Sequence, residues 1–149
     1  MSSRARFVLG TLLATVLYIV GRVLLFAFLA RVIPIDWWRA LFQAEGTALF
    51  ARSIILVALS SATIAFAVAC LLVRIVNERT FTAACMVGIF SLAFGLLTLP
   101  LLPAPLYGRW LLQASIGHLV AAAAVPLAMW LLQTWIPAHK PQTPTEESS

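Results

Sequence analysis

The sequence predicts an all-α polytopic membrane protein: four transmembrane helices in an antiparallel bundle, with a short interfacial amphipathic helix between helices 1 and 2. Three observations predict it. The 149 residues are 62% hydrophobic and only 10% charged, with a mean hydropathy of +1.01, whereas a soluble domain carries about 25% charge and a small one leaves much of its surface in solvent. Four apolar runs have the roughly 20 residues needed to cross about 30 Å of hydrocarbon. The segments between them are short and charged, rich in proline, or amphipathic.

The first run, Phe7 to Ala30, lacks the Ala-x-Ala pattern of a cleavage site and is long for a removable signal peptide, so it reads as a retained helix. After Pro34, Asp36 can cap a helix over about 36–49. Trp38, Leu41, Phe42 and Leu49 share one of its faces, and Asp36, Arg39, Gln43 and Thr47 the other. With Trp37 and Trp38 as anchors, that helix suits the headgroup level. Glu45 breaks its pattern: either the helix ends near Gly46 and the carboxylate sits in water, or Glu45 faces another helix and meets a partner there.

The second run, Ile54 to Val73, and the third, Phe81 to Leu102, are joined by the charged turn "RIVNERT", which places them side by side. The prolines of "PLLPAPLYG" close the third run, and the fourth extends from Trp110, a further interfacial anchor, to Ile136. Residues 1–136 thus form a single domain. The tail 137–149, "PAHKPQTPTEESS", has almost nothing to bury and is expected to be disordered.

A net charge of +5 and a pI near 10.3 would point to nucleic acid in a soluble protein. Here the basic residues stand singly at the edges of apolar runs, where they set orientation and meet anionic lipid, so no nucleic-acid partner is expected. Arg4, Arg6, Arg74, Arg79 and Lys140 fall on one side, and Arg31, Arg39, Arg52 and Arg109 on the other. This small excess favours both termini in the cytoplasm. Arginine in preference to lysine, with abundant alanine and leucine, suggests a bacterial inner membrane.

Arg22 is the one charge deep inside a run, about 12 Å from the end at Ala30. It either snorkels toward that interface or faces protein, as intramembrane charges usually do. Thr11, Thr15, Tyr18 and Arg22 recur at spacings of four, three and four, forming one polar stripe. Measured from the same side, Ser60, Ser61, Ser91 and His118 lie at roughly 9 to 14 Å, close to the depth of Arg22. A buried polar layer of Arg22, Ser60 or Ser61, Ser91 and His118, with Tyr18 beneath it, is one expectation. The other is that the serines and histidine only hydrogen-bond between helices as packing groups. No acid shares that depth, so Glu45, an anion or another protein would have to neutralise Arg22.

Ser61, Ala65 and Ala69, Ser91 with Gly95, and Gly117 with Ala121 repeat the small-xxx-small spacing that lets helices approach closely. Pro126 frees the Ala122 carbonyl and should kink the fourth helix. Cys70 and Cys85 lie at nearly the same distance from the turn between runs two and three and read as small apolar fillers. One histidine in the apolar runs makes neither a bis-histidine haem site nor a structural zinc site, and no catalytic set is apparent; neither cofactor nor metal is expected.

In size and topology the chain resembles the small four-helix immunity proteins that protect bacteria from pore-forming toxins. The resemblance implies a non-enzymatic role exercised by binding. The expectation is an accessory or assembly subunit, or an immunity-type protein, that binds another membrane protein or itself within the bilayer. The rival expectation is an oligomeric transporter or channel that contacts an anionic or polar substrate through Arg22 and His118.

Overall fold

The computed structural model describes residues 3–41, 45–76, 79–98 and 109–135, with the side chains at 41, 45–46 and 109–110 outside that description. The described residues form five helices and no strand: α1 (Ser3–Val32), α2 (Ile35–Leu41), α3 (Glu45–Val76), α4 (Thr80–Thr98) and α5 (Arg109–Trp135). All but α2 are long and apolar enough to cross a membrane. The expected turn Pro100 to Gly108 and the tail 137–149 lie outside the described residues.

Pro34 cannot continue α1, and the chain bends there into α2. The last carbonyls of a helix have no partner within it. At the end of α1 two carbonyls in this region are met from α3: Arg52 Nη2 donates to Ala30 O (2.6 Å) and to Ile33 O (3.3 Å). In α2, Asp36 and Arg39 form an exposed pair at 3.5 Å, a type of contact worth about 0–1 kcal/mol.

Of the amphipathic helix expected over 36–49, the described part is α2; residues 42–44 lie outside the described residues, and those from Glu45 onward belong to α3, a continuous 32-residue helix. Gly46 is a weak breaker, costing about 1 kcal/mol relative to alanine, and no proline follows it before Pro100. Ala48 is fully buried, so the turn that was expected to float at an interface is held by packing.

The short connection between α3 and α4 does not make them the closest pair. Residues 77–79 alone connect them, with Arg79 in the left-handed region (φ 58°) and its carbonyl accepting from Ala83 N at 3.0 Å. Yet α3 and α4 touch each other much less than each touches α5, and α3 packs most closely on α1 and α5. A short connection fixes the helix ends; side-chain volume decides which faces close. Gly10 and Gly21 of α1 lie against Ile75, Val76 and Ile64 of α3, while Gly88 and Gly95 of α4 lie against Ala122, Pro126 and His118 of α5. Between Thr47 and Val76, α3 has no glycine. The close approaches are therefore α1 on α3 and α4 on α5, which places α1 and α5 in the grooves between α3 and α4.

The anticipated small-residue faces are all inside: Ser61, Ala65, Ala69, Ser91, Gly95, Gly117 and Ala121 are buried. α5 runs through Pro126 without ending. The Ala122 carbonyl, which has lost its helical donor there, points at Gly88, where a side chain would overlap it. Cys70 and Cys85 are free and half-buried.

The apolar core is unevenly placed. It joins Ala14 and Tyr18 to Ala65, Val68, Leu72, Val87, Val125 and Met129. Every fully buried residue of α1 lies between Gly10 and Tyr18. Beyond Tyr18, α1 has no buried residue, although Gly21 still packs on Ile64 of α3, and Arg22 stands one turn past that point.

Candidate functional site

The site begins with the polar stripe of α1. Thr11, Thr15 and Tyr18 are buried, so the stripe faces protein. Its threonines satisfy themselves: Thr11 Oγ1 donates to Phe7 O at 2.7 Å and Thr15 Oγ1 to Thr11 O at 2.8 Å. Tyr18 is the member that reaches across, donating to Ala121 O of α5 at 2.5 Å. A hydroxyl four residues above a carbonyl can bond back to its own helix, which is why threonine and serine contribute less between helices than their depth suggested.

One turn on, Arg22, Val23 and Phe26 of α1, Ser53, Val57 and Ser60 of α3, and Gln113, Ala114, Gly117 and His118 of α5 line a half-open cavity of about 300 Å³. Each set follows helical geometry, with members one, three or four residues apart on a single face. The structure thus brings Arg22, Ser60 and His118 together around one space. Tyr18, Ser61 and Ser91 are fully buried and do not line it.

Ser60 and Ser61 are neighbours in sequence but about 100° apart around the helix. Ser60 borders the cavity and donates to Leu56 O at 2.7 Å. Ser61 lies beside the Tyr18 hydroxyl without completing a well-formed hydrogen bond. Ser91 Oγ is buried and unpartnered among the described residues.

His118 is pinned from behind. A Cβ built on Gly95 would fall 2.5 Å from its Cγ and 2.8 Å from its Cε1, so only glycine leaves room for the imidazole. Its Nδ1 is buried with no hydrogen-bond partner among the described residues. Arg22 lies within electrostatic reach of both His118 and Tyr18.

No hydrogen bond or ion pair from Arg22 to another described residue is formed. The acids of the chain are Asp36, Glu45, Glu78, Glu146 and Glu147. The Glu45 side chain, the charge partner considered above, lies outside the described residues. Its backbone opens α3, fifteen residues before Ser60, or about 22 Å along the axis. Of the expected anchors, Trp37 is 70% exposed, Trp38 is half-buried with Nε1 unpartnered among the described residues, and the Trp110 side chain is outside the described set.

Ser53 and Gln113 were not anticipated. Each has a signal in the sequence: Ser53 lies seven residues, about two turns, before Ser60, and Gln113 shares a face with Gly117. Among the described residues no three His, Cys, Asp or Glu side chains gather as a metal site. What the cavity offers is one cation, an imidazole, an amide, the hydroxyls of Ser53 and Ser60, and apolar walls at Val23, Phe26, Val57 and Ala114. That combination can bind an anion. No protein-family model, curated protein or solved structure matches the chain.

Proposed function

We propose that the protein is a multi-pass protein of a bacterial inner membrane, with its four long helices in an antiparallel bundle and both termini in the cytoplasm. It acts without catalysis, by binding another membrane component, as an accessory or assembly subunit or an immunity-type protein does. Large apolar side chains cover the outside of all four long helices, including Leu24 (64% exposed), Leu97 (74%) and Leu119 (58%). A soluble monomer rarely exposes apolar surface so continuously. The contacts also support the antiparallel order: Gly10 meets Val76 and Gly21 meets Ile64, while Gly88 meets Ala122 and Gly95 meets His118.

The observation that carries the binding role is Arg22 in its cavity. An arginine near a helix centre costs about 2.5–3.5 kcal/mol on insertion scales, and no described residue compensates it. A binding protein recovers that cost when its partner supplies the counter-charge. The test is purification of the full chain from native membranes in mild detergent, beside Arg22→Gln. The expected result is a stoichiometric component that the variant loses while keeping its helical content. A chain that purifies alone in both forms contradicts the proposal. Anion flux in proteoliposomes, abolished by Arg22→Gln and His118→Ala, would assign an oligomeric transporter instead.

A further inference from the structure

We infer that the cavity between α1, α3 and α5 is a binding site for an anionic amphiphile of the membrane, one oxyanion head on an apolar chain. The inference rests on the binding role just proposed and names the chemistry of what is bound.

The polar groups select the head. The guanidinium of Arg22 is a planar fork that suits a carboxylate or phosphate, and it has no partner among the described residues. Gln113 forms no hydrogen bond to a described residue and has an amide donor to offer. Ser60 is not such a donor, because its hydroxyl hydrogen is directed to its own helix at Leu56 O and Val57 O. Ser53 of α3 borders the same space and forms no hydrogen bond to a described residue, so the head is held from α1, α3 and α5.

The walls select the chain. Val23, Phe26, Val57 and Ala114 face the same space, and a bare inorganic anion would leave them against nothing. About 300 Å³ is at the lower end for a small-molecule site, so it takes the head with the first few methylenes. The remainder has an exit, because α1 has no fully buried residue after Tyr18. Val23 borders the cavity and is 54% exposed, so a chain leaving the head past Val23 can run outward.

A carboxylate on a fatty acid and a phosphate on a glycerophospholipid share this chemistry, and the experiment separates them. Full-length protein in a neutral detergent is challenged with oleate, with phosphatidylglycerol and with uncharged oleyl alcohol, and retention is read by native mass spectrometry. Oleate, phosphatidylglycerol or both are retained in preference to the alcohol, and whichever is held more strongly identifies the source. Losing a charge-assisted hydrogen bond is a change on the order of 10-fold to 100-fold in affinity. Arg22→Gln weakens retention by that factor and Arg22→Lys by less. Ala114→Leu fills the apolar wall and also loses retention with Arg22 in place.

Equal retention of oleate and oleyl alcohol, or anion retention indifferent to Arg22→Gln in a folded variant, overturns the inference. A protein partner that depends on Arg22 without any retained lipid overturns it too, but leaves the binding role standing. Absence of both removes the two together.

Discussion

Replacing Gly88 with alanine should loosen the contact between α4 and α5, and the neighbours of Gly88 allow the size of the effect to be worked out. The new Cβ would overlap the Ala122 carbonyl oxygen, with the carbonyl carbon at 3.4 Å and Pro126 Cδ at 3.5 Å. All three atoms belong to the backbone or to a ring fixed to it, so no side chain can swing away. The helices themselves must separate. Overpacking of this kind costs about 1–3 kcal/mol, and a rigid neighbour argues for the upper part of that range. Alanine returns up to about 1 kcal/mol through helix propensity, which leaves a net loss of about 1–2 kcal/mol. Gly117→Ala is the internal control. There the new Cβ meets only Val57 side-chain carbons at 3.7 and 3.9 Å, an ordinary contact, so the propensity gain stands and the variant should be more stable by about 0.5–1 kcal/mol. Reversible unfolding in mixed micelles, followed by far-ultraviolet circular dichroism, measures both. The reasoning fails if Gly88→Ala is as stable as the parent, or if the two variants lose stability equally.

Tyr18→Phe keeps the ring in the core but removes the hydrogen bond to Ala121 O, and should cost about 0.5–1.5 kcal/mol in the same unfolding assay. Gly95→Ala should displace the His118 ring and reduce retention of an anionic amphiphile while Arg22 is untouched; retention at the parental level would show that the ring position is immaterial. Arg52→Met leaves the Ala30 and Ile33 carbonyls without their donor, and amide hydrogen exchange should quicken over residues 28–36, with little change in the α4 half of the molecule. Reporter fusions at Lys140 and between Pro100 and Gly108 should give cytoplasmic and external signals respectively, and an external signal from the tail would invert the proposed orientation.

The four long helices were legible because apolar length survives any arrangement of neighbours. Depth was legible for the same reason: a fixed rise of 1.5 Å per residue allowed Arg22, Ser60 and His118 to be placed at one level before any packing was known, and all three border one cavity. Direction around each helix was harder to read. Depth alone could not separate Ser60 from Ser61, and packing turns the first toward the cavity and the second toward Tyr18. Nor could it foresee that Thr11, Thr15 and Ser60 would bond back to carbonyls of their own helices, which requires only local geometry and no neighbouring helix. The amphipathic period continues as far as Leu49, while Ala48 is committed to packing within α3. The loose contact between α3 and α4 follows from where the glycines lie, a feature weighed less in the sequence than the shortness of their connection.

The proposed binding role requires a membrane component to supply the counter-charge to Arg22 inside the cavity. A photoreactive residue placed at Phe26, in the cavity wall, and separately at Leu24, on the outer surface of the same helix, tests it in native membranes. The expected result is a discrete adduct from position 26 that disappears with Arg22→Gln and is absent from position 24. The same adducts from both positions, or an adduct at 26 that persists without the arginine, would contradict it.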